Sequence, residues 1–158
     1  MSEAAPTVRI VPAAPECAAE LLALQKLCFR EEAELYGEFD IPPLTQTLDS
    51  LLEEFRTHTV LTACDGSRLI GSVRARREGN VCQIGRLIVH PDFRRQGVGT
   101  ALMVAIEAAH SEATDFELFT GDRSTRNLRL YARLGYTPFR RQHLTPRLTL
   151  VFLRKRRP

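Results

Sequence analysis

The chain has 158 residues, a formal net charge of +3 at pH 7 and an apolar share of 44%, which fits a single domain spanning residues 1–158 with one substantial core. Its basic residues fall in short clusters (Arg74, Arg76 and Arg77; Arg94 and Arg95; Arg154 to Arg157) with no aromatic side chains interleaved, so no nucleic-acid partner is expected. The first residues carry no basic start followed by an apolar run, and no segment is long enough to span a bilayer, so a cytoplasmic location with no membrane partner is expected.

In chain order, Val8 to Val11 is a short apolar run before Pro12 and predicts an edge strand. The spacing predicts a helix over about Glu16 to Tyr36, with Ala18, Leu21, Leu22, Leu24, Leu27, Cys28 and Leu35 on its apolar face. Gly37 and the Pro42-Pro43 pair break it. A second helix is expected over about Thr47 to Phe55. Strands follow at Thr57 to Ala63, Leu69 to Arg77 and Val81 to Val89, joined by turn signals at Asp65-Gly66 and Gly79-Asn80 into an antiparallel meander. A helix is expected over about Val98 to His110 and a strand over Phe116 to Phe119. Ser124 is placed as the N-cap of a helix to about Leu134, closed by Gly135. Tyr136 to Arg140 and Leu148 to Leu153 complete the strands. Cys17, Cys28, Cys64 and Cys82 show no metal-ligand spacing, and no metal is expected.

The segment Val89-His90-Pro91-Asp92-Phe93-Arg94-Arg95-Gln96-Gly97-Val98-Gly99-Thr100 runs from a strand end through a basic turn into a glycine-bearing helix start. Free N–H groups and the helix dipole favour an anion there, and glycine lets a backbone come close. The pattern suits a pyrophosphate. It is neither a Walker loop nor a Rossmann fingerprint, because Gly-Lys-[Ser/Thr] and G-x-G-x-x-G are both absent. A tight strand-to-helix turn would use the same residues.

The stretch from Leu87 to Leu102 closely resembles the coenzyme A-binding segment of the GNAT superfamily of N-acetyltransferases, whose [Gln/Arg]-x-x-Gly-x-[Gly/Ala] signature is met by Arg94, Gly97 and Gly99. Asn127-Leu-Arg-Leu-Tyr131-Ala-Arg-Leu-Gly-Tyr136 is similar to the family's second motif. The resemblance covers about residues 60 to 140 well, and the first 55 by element order only. It implies an α/β (α+β) GNAT fold: a mixed, mostly antiparallel seven-stranded sheet, splayed between strands 4 and 5 and flanked by about four helices. It implies acetyl-CoA as cosubstrate and an amine as acceptor, with direct transfer between them. The cofactor contacts it implies are Leu87, Ile88 and Val89 for the pantetheine arm; Arg94, Arg95, Gln96, Gly97, Val98, Gly99 and Thr100 for the pyrophosphate; and Ser124 and Asn127 from the second motif. Ser124 also reads as a cap and Asn127 as a solvent-facing residue.

The resemblance further implies that Tyr131 is the general acid, since a phenol with a pKa near 10 can protonate a departing thiolate. Many family members carry a glutamate base on the fourth strand. Gln83 aligns there, so solvent is expected to take the amine proton. Gln83 is kept as a substrate contact with Glu34 and Asp40, which lie in the acidic stretch from Glu31 to Asp40. The missing glutamate is also the one feature that favours an alternative, a non-catalytic sensor of acyl-CoA. A homodimer is left open.

Overall fold

The structure is a computed structural model and describes residues 8–158. Its strands are β1 (Val8–Pro12), β2 (Thr59–Asp65), β3 (Arg68–Glu78), β4 (Val81–Val89), β5 (Asp115–Gly121), β6 (Thr137–His143) and β7 (Thr149–Arg156), and its helices are α1 (Ala18–Tyr36), α2 (Pro42–Thr45), α3 (Leu48–Thr57), α4 (Val98–Ala109) and α5 (Thr125–Arg133). All seven strands form one sheet in the order β1-β2-β3-β4-β5-β7-β6. Each neighbouring pair is antiparallel except β4–β5, which is parallel and is crossed over by α4. No described helix is long and apolar enough to cross a membrane.

One face of the sheet is covered by α4, whose Leu102, Met103 and Ile106 are fully buried against Ile70, Val73 and Phe116. On the other face α1 and α3 set Leu21, Leu24 and Leu51 against Val60, Leu69 and Ile88. Helix α1 departs from the expected face. Leu27 and Leu35 are exposed, while Gln25, Ala33 and Tyr36 are buried. The helix presents only a narrow stripe to the sheet, and its inner face is partly polar because it must meet a buried arginine.

That arginine is Arg74 on β3, only 3% exposed. Its guanidinium donates to the Glu54 carboxylate of α3 and to the Gln25 carbonyl oxygen of α1. Gln25 in turn donates to the Pro43 carbonyl and to Gln46, both at 2.9 Å. A buried charge is tolerated only when paired and hydrogen-bonded, and this cluster ties α1, α2 and α3 to the sheet. Helix α2 itself was not foreseen. Pro42 and Pro43 start a turn of helix after Ile41, because proline is tolerated in a first turn where its N–H has no helical partner. Thr57, expected in a strand, ends α3; Thr47 caps that helix by accepting from the Ser50 N–H at 3.1 Å.

Strands β4 and β5 pair over only three rungs, Val81↔Asp115 to Gln83↔Glu117, and then part. On its other side β4 carries a bulge. Ser72 pairs with Ile88 and Arg74 with Gly85, so Arg86 and Leu87 together face Val73. Arg86 sits there at φ +55°, a left-handed conformation unusual for a long side chain. The β4–β5 split opens a cleft in the middle of the sheet.

Burial alone would raise the Glu54 pKa, but the charge and hydrogen bond of Arg74, with help from Gln46, outweigh it and hold the carboxyl below its ordinary value. The pair's stabilisation is therefore full above the unfolded-state pKa of about 4.3 and is lost as pH falls through the lower folded value. Urea unfolding of wild type and Glu54→Gln at pH 7 and pH 3 should show a stability gap that narrows on acidification. Arg74→Met, which strands the Glu54 charge, should cost about 3 kcal/mol at pH 7.

Candidate functional site

Two cavities meet at the cleft. The first, about 550 Å³, is walled by Leu87 to Val89 of β4, by the turn from Phe93 to Thr100, by α5 and by Cys28, Phe29 and Glu32 of α1. Burial pushes the Cys28 thiol up to about 11, so it serves as a neutral wall. Arg95 has φ +63° and Gly97 φ +80°, so the backbone passes twice through left-handed conformations just before α4. The first hydrogen bond of α4 runs from the Ala101 N–H to the Gly97 carbonyl at 3.0 Å. The N–H groups of Val98, Gly99 and Thr100 therefore precede the helical ladder and are free for an anion.

The two glycines of the turn do different work. A Cβ on Gly97 would meet nothing within 4 Å, so it is the φ of +80° that requires glycine. A Cβ on Gly99 would lie 3.3 Å from Leu130 Cδ2, so this glycine lets α4 and α5 pack closely. Arg95, Arg126, Arg129 and Arg133 add positive charge to the cavity wall. Arg94 lines it too, but its guanidinium already grips Glu31 of α1 at 2.9 and 3.2 Å.

Of the expected cofactor contacts, Leu87, Ile88, Val89, Arg94, Arg95, Gly97, Val98, Gly99, Thr100 and Asn127 line this cavity. Gln96 does not; its side chain turns back toward the Asp92 carbonyl, 3.5 Å away. Ser124 does not either. It is buried and donates to Glu32 at 2.5 Å, so it gives α5 no side-chain cap.

The second cavity, about 300 Å³, lies on the other side of the β4 bulge and is mostly apolar, with Ile41, Phe119, Leu144, Leu148 and Leu150 in its wall. Tyr131 of α5 lines it. The chain behind Tyr131 is held by a helix-ending double bond: the Tyr136 N–H donates to the Tyr131 carbonyl at 3.0 Å and the Gly135 N–H to the Ala132 carbonyl at 3.1 Å. The two tyrosine rings sit 6.0 Å apart. Burial raises the Tyr131 pKa far above its ordinary value, and the Glu32 charge adds to this. Both effects favour the neutral, protonated phenol.

None of the expected substrate contacts lines either cavity. Glu34 and Asp40 are exposed and line neither cavity. Gln83 donates to Glu117 at 3.1 Å on the last paired rung, outside both cavities, and Glu117 is held by Arg154 at 2.9 Å. The acidic residues that do line the second cavity are Glu32 and Glu38, and Arg86 joins them. Glu32 was legible in principle. Cys28, Glu32 and Tyr36 are spaced i, i+4, i+8, which puts them on one helix face, whereas Glu34 lies about 200° round from Glu32.

Phe29, Glu32, Leu87 and Asn127 line both cavities and mark their junction. Among the described residues, no group of His, Cys, Asp and Glu side chains is placed to hold a metal ion. The arrangement is a basic cleft that meets a smaller, mostly apolar chamber at a junction carrying the Glu32 carboxylate, with the Tyr131 phenol in the wall of the smaller chamber.

Residues 19–136 match the model of the acetyltransferase (GNAT) family. The protein YqkA of Bacillus subtilis is 29% identical over 122 residues, which cover 75% of this chain and 34% of that protein; the chain thus spans about a third of that curated relative. The fold is shared with the PaiA N-acetyltransferase of Thermoplasma acidophilum, solved in complex with coenzyme A (TM-score 0.80, 14% identity, 96% of this chain and 99% of that one). It is also shared with Arabidopsis thaliana NAA60 in complex with a bisubstrate analogue (TM-score 0.76, 20% identity, 95% and 98%), and with the ribosomal-protein-S18-alanine N-acetyltransferase of Escherichia coli (TM-score 0.77, 11% identity, 95% and 94%).

If the turn from Arg95 to Thr100 is an anion seat, inorganic pyrophosphate at ten times its dissociation constant should raise the melting temperature by about 3–6 °C, corresponding to about 1.4 kcal/mol. The increment should shrink with added salt. Gly97→Val, which forces a β-branched residue toward φ +80°, should abolish it. A wild-type chain indifferent to pyrophosphate would contradict the assignment.

Proposed function

The chain belongs to the acetyltransferase (GNAT) family, and on that premise we propose that residues 1–158 act as one domain that transfers an acetyl group from acetyl-CoA directly to a primary amine. The observation that carries this reading is the meeting of the two cavities at Phe29, Glu32, Leu87 and Asn127, with Tyr131 facing the acceptor side.

The residues present suit the coenzyme. The free N–H groups of Val98 to Thr100 and the side chain of Arg95 would hold the pyrophosphate. The β4 edge from Leu87 to Val89 would offer backbone partners to the extended arm, and Asn127, which lines both cavities, would meet it at the junction. When bound, acetyl-CoA supplies an activated thioester whose thiol is the leaving group. The acceptor amine occupies the smaller cavity, so both reactants are held at one point before bonds change.

An ammonium with a pKa near 10 must lose a proton before it attacks. Glu32 is the carboxylate at the junction, and it takes that proton directly or through water. It replaces solvent, which the absence of a carboxylate at Gln83 suggested. Tyr131 then gives its proton to the departing thiolate. Burial and the Glu32 charge keep that hydroxyl protonated at neutral pH, so a donor stands ready when the thiolate departs. With Glu32 at the junction, the sensor alternative loses the feature that favoured it. Release of free thiol from acetyl-CoA across a panel of primary amines tests the reading. Coenzyme A binding with no amine-dependent release would restore the sensor.

Two substitutions separate the roles. Tyr131→Phe should lower kcat by about a hundredfold with coenzyme affinity unchanged. For Glu32→Gln the readout is the pH profile. Wild-type kcat/KM should vary little from pH 6.5 to 9, because the ammonium form is deprotonated on the enzyme. The variant must wait for amine that is already neutral, so its log profile should climb with a slope near one. Identical profiles would remove Glu32 from the role.

A further inference from the structure

Arg86 is the residue that neither the fold nor the transfer chemistry uses. It stands on the β4 bulge at φ +55°, and such strain is kept where the surroundings demand it. It lines the smaller cavity beside the junction residue Leu87. Its Nε is buried with no partner, and among the described residues its guanidinium makes no hydrogen bond or ion pair. Arg74 is close enough to act on its charge, yet the Glu54 carboxylate and the Gln25 oxygen are already committed to Arg74. The one nearby carboxylate is thus taken by Arg74, and Arg86 is left without a partner in the wall of a chamber that is otherwise mostly apolar.

Resting on the acyltransferase reading above, we infer that Arg86 binds a carboxylate of the acceptor, so that the substrate is a small amine that also carries a carboxylate on an apolar frame, as an amino acid with a hydrophobic side chain does. The planar fork of a guanidinium matches a carboxylate in two parallel hydrogen bonds. The remaining charges agree. Glu32 and Glu38 line the same cavity and would attract the ammonium, with Glu32 at the junction. Ile41, Leu144, Leu148 and Leu150 receive the apolar part. A cavity of about 300 Å³ suits a molecule of that size.

The test needs no turnover. N-acetyl-L-leucine and N-acetyl-L-phenylalanine mimic the product, and their primary amides differ only by loss of the negative charge. Calorimetry with the wild-type chain should show each acid binding about tenfold to a hundredfold more tightly than its amide. Arg86→Gln and Arg86→Met should both lose that preference while leaving amide affinity and coenzyme A affinity unchanged. Because nothing in the fold pairs with this guanidinium, the melting temperature of Arg86→Met should stay equal or rise, whereas a structural role would lower it. Equal affinity of acid and amide for the wild type, binding of neither, or a preference that survives both substitutions would overturn the inference. Coenzyme A titrated in the same series reports on the acyltransferase reading separately. Coenzyme bound normally with no acid preference speaks against Arg86 alone, and no coenzyme bound speaks against the reading beneath it.

Discussion

The structure turns on a limit to strand pairing. Strands β4 and β5 lie parallel and hydrogen-bond as far as Gln83 and Glu117, and there they separate. Beyond that rung β4 is paired only to β3 and β5 only to β7. Two facing edges in the middle of a sheet are left with backbone groups that seek partners. In most sheets such an edge is a liability to be covered. Here it faces a cleft walled by α1, α5 and the turn that starts α4. An extended ligand can lie along it as a strand would, with its charged end at the helix start.

The rest of the molecule holds that gap open and furnishes it. The buried Arg74 cluster fixes α1, α2 and α3 over the sheet, which sets Phe29 and Glu32 above the cleft. Tyr36 at the end of α1 reaches across to the other lip, donating to Asp122 at 3.2 Å and accepting from the Arg123 N–H at 2.6 Å. Gly121 has no alternative here, since a Cβ would lie 2.3 Å from the Tyr36 hydroxyl. The Ser124–Glu32 hydrogen bond and the Glu31–Arg94 pair add two more ties between α1 and the cleft's walls. These side chains cost conformational entropy to order, and they tie α1 both to the turn before α4 and to the loop before α5. Motion of α1 would therefore change both cavities together.

The strands were largely legible in the sequence because Asp65-Gly66 and Gly79-Asn80 punctuate alternating runs, and the anion turn was legible because its glycines and arginines are contiguous. The family resemblance supplied the splay, which no local pattern encodes. The residues that line the cavities were less legible, for several reasons. Gln83 came from the family resemblance, and the β4 bulge that sets Arg86 and Leu87 together opposite Val73 lies beyond it, where no local pattern marks it. Reading the acidic stretch by composition favoured Glu34 and Asp40, while the helical phase of Cys28, Glu32 and Tyr36 selects Glu32. Ser124 stands at the start of α5 as expected, yet its hydroxyl goes to Glu32, a contact 92 residues away that local propensity cannot foresee.

The central claim is that one ligand spans the open β4 edge and the helix start of α4. Backbone amide chemical shifts of the isotope-labelled chain, followed while coenzyme A is added, test it most directly. The account predicts that the largest changes fall together on Leu87 to Val89 and on Arg95 to Thr100, with smaller ones at Asn127 and Glu32. Changes confined to the outer strands β6 and β7, or to the α4 turn without β4, would contradict it.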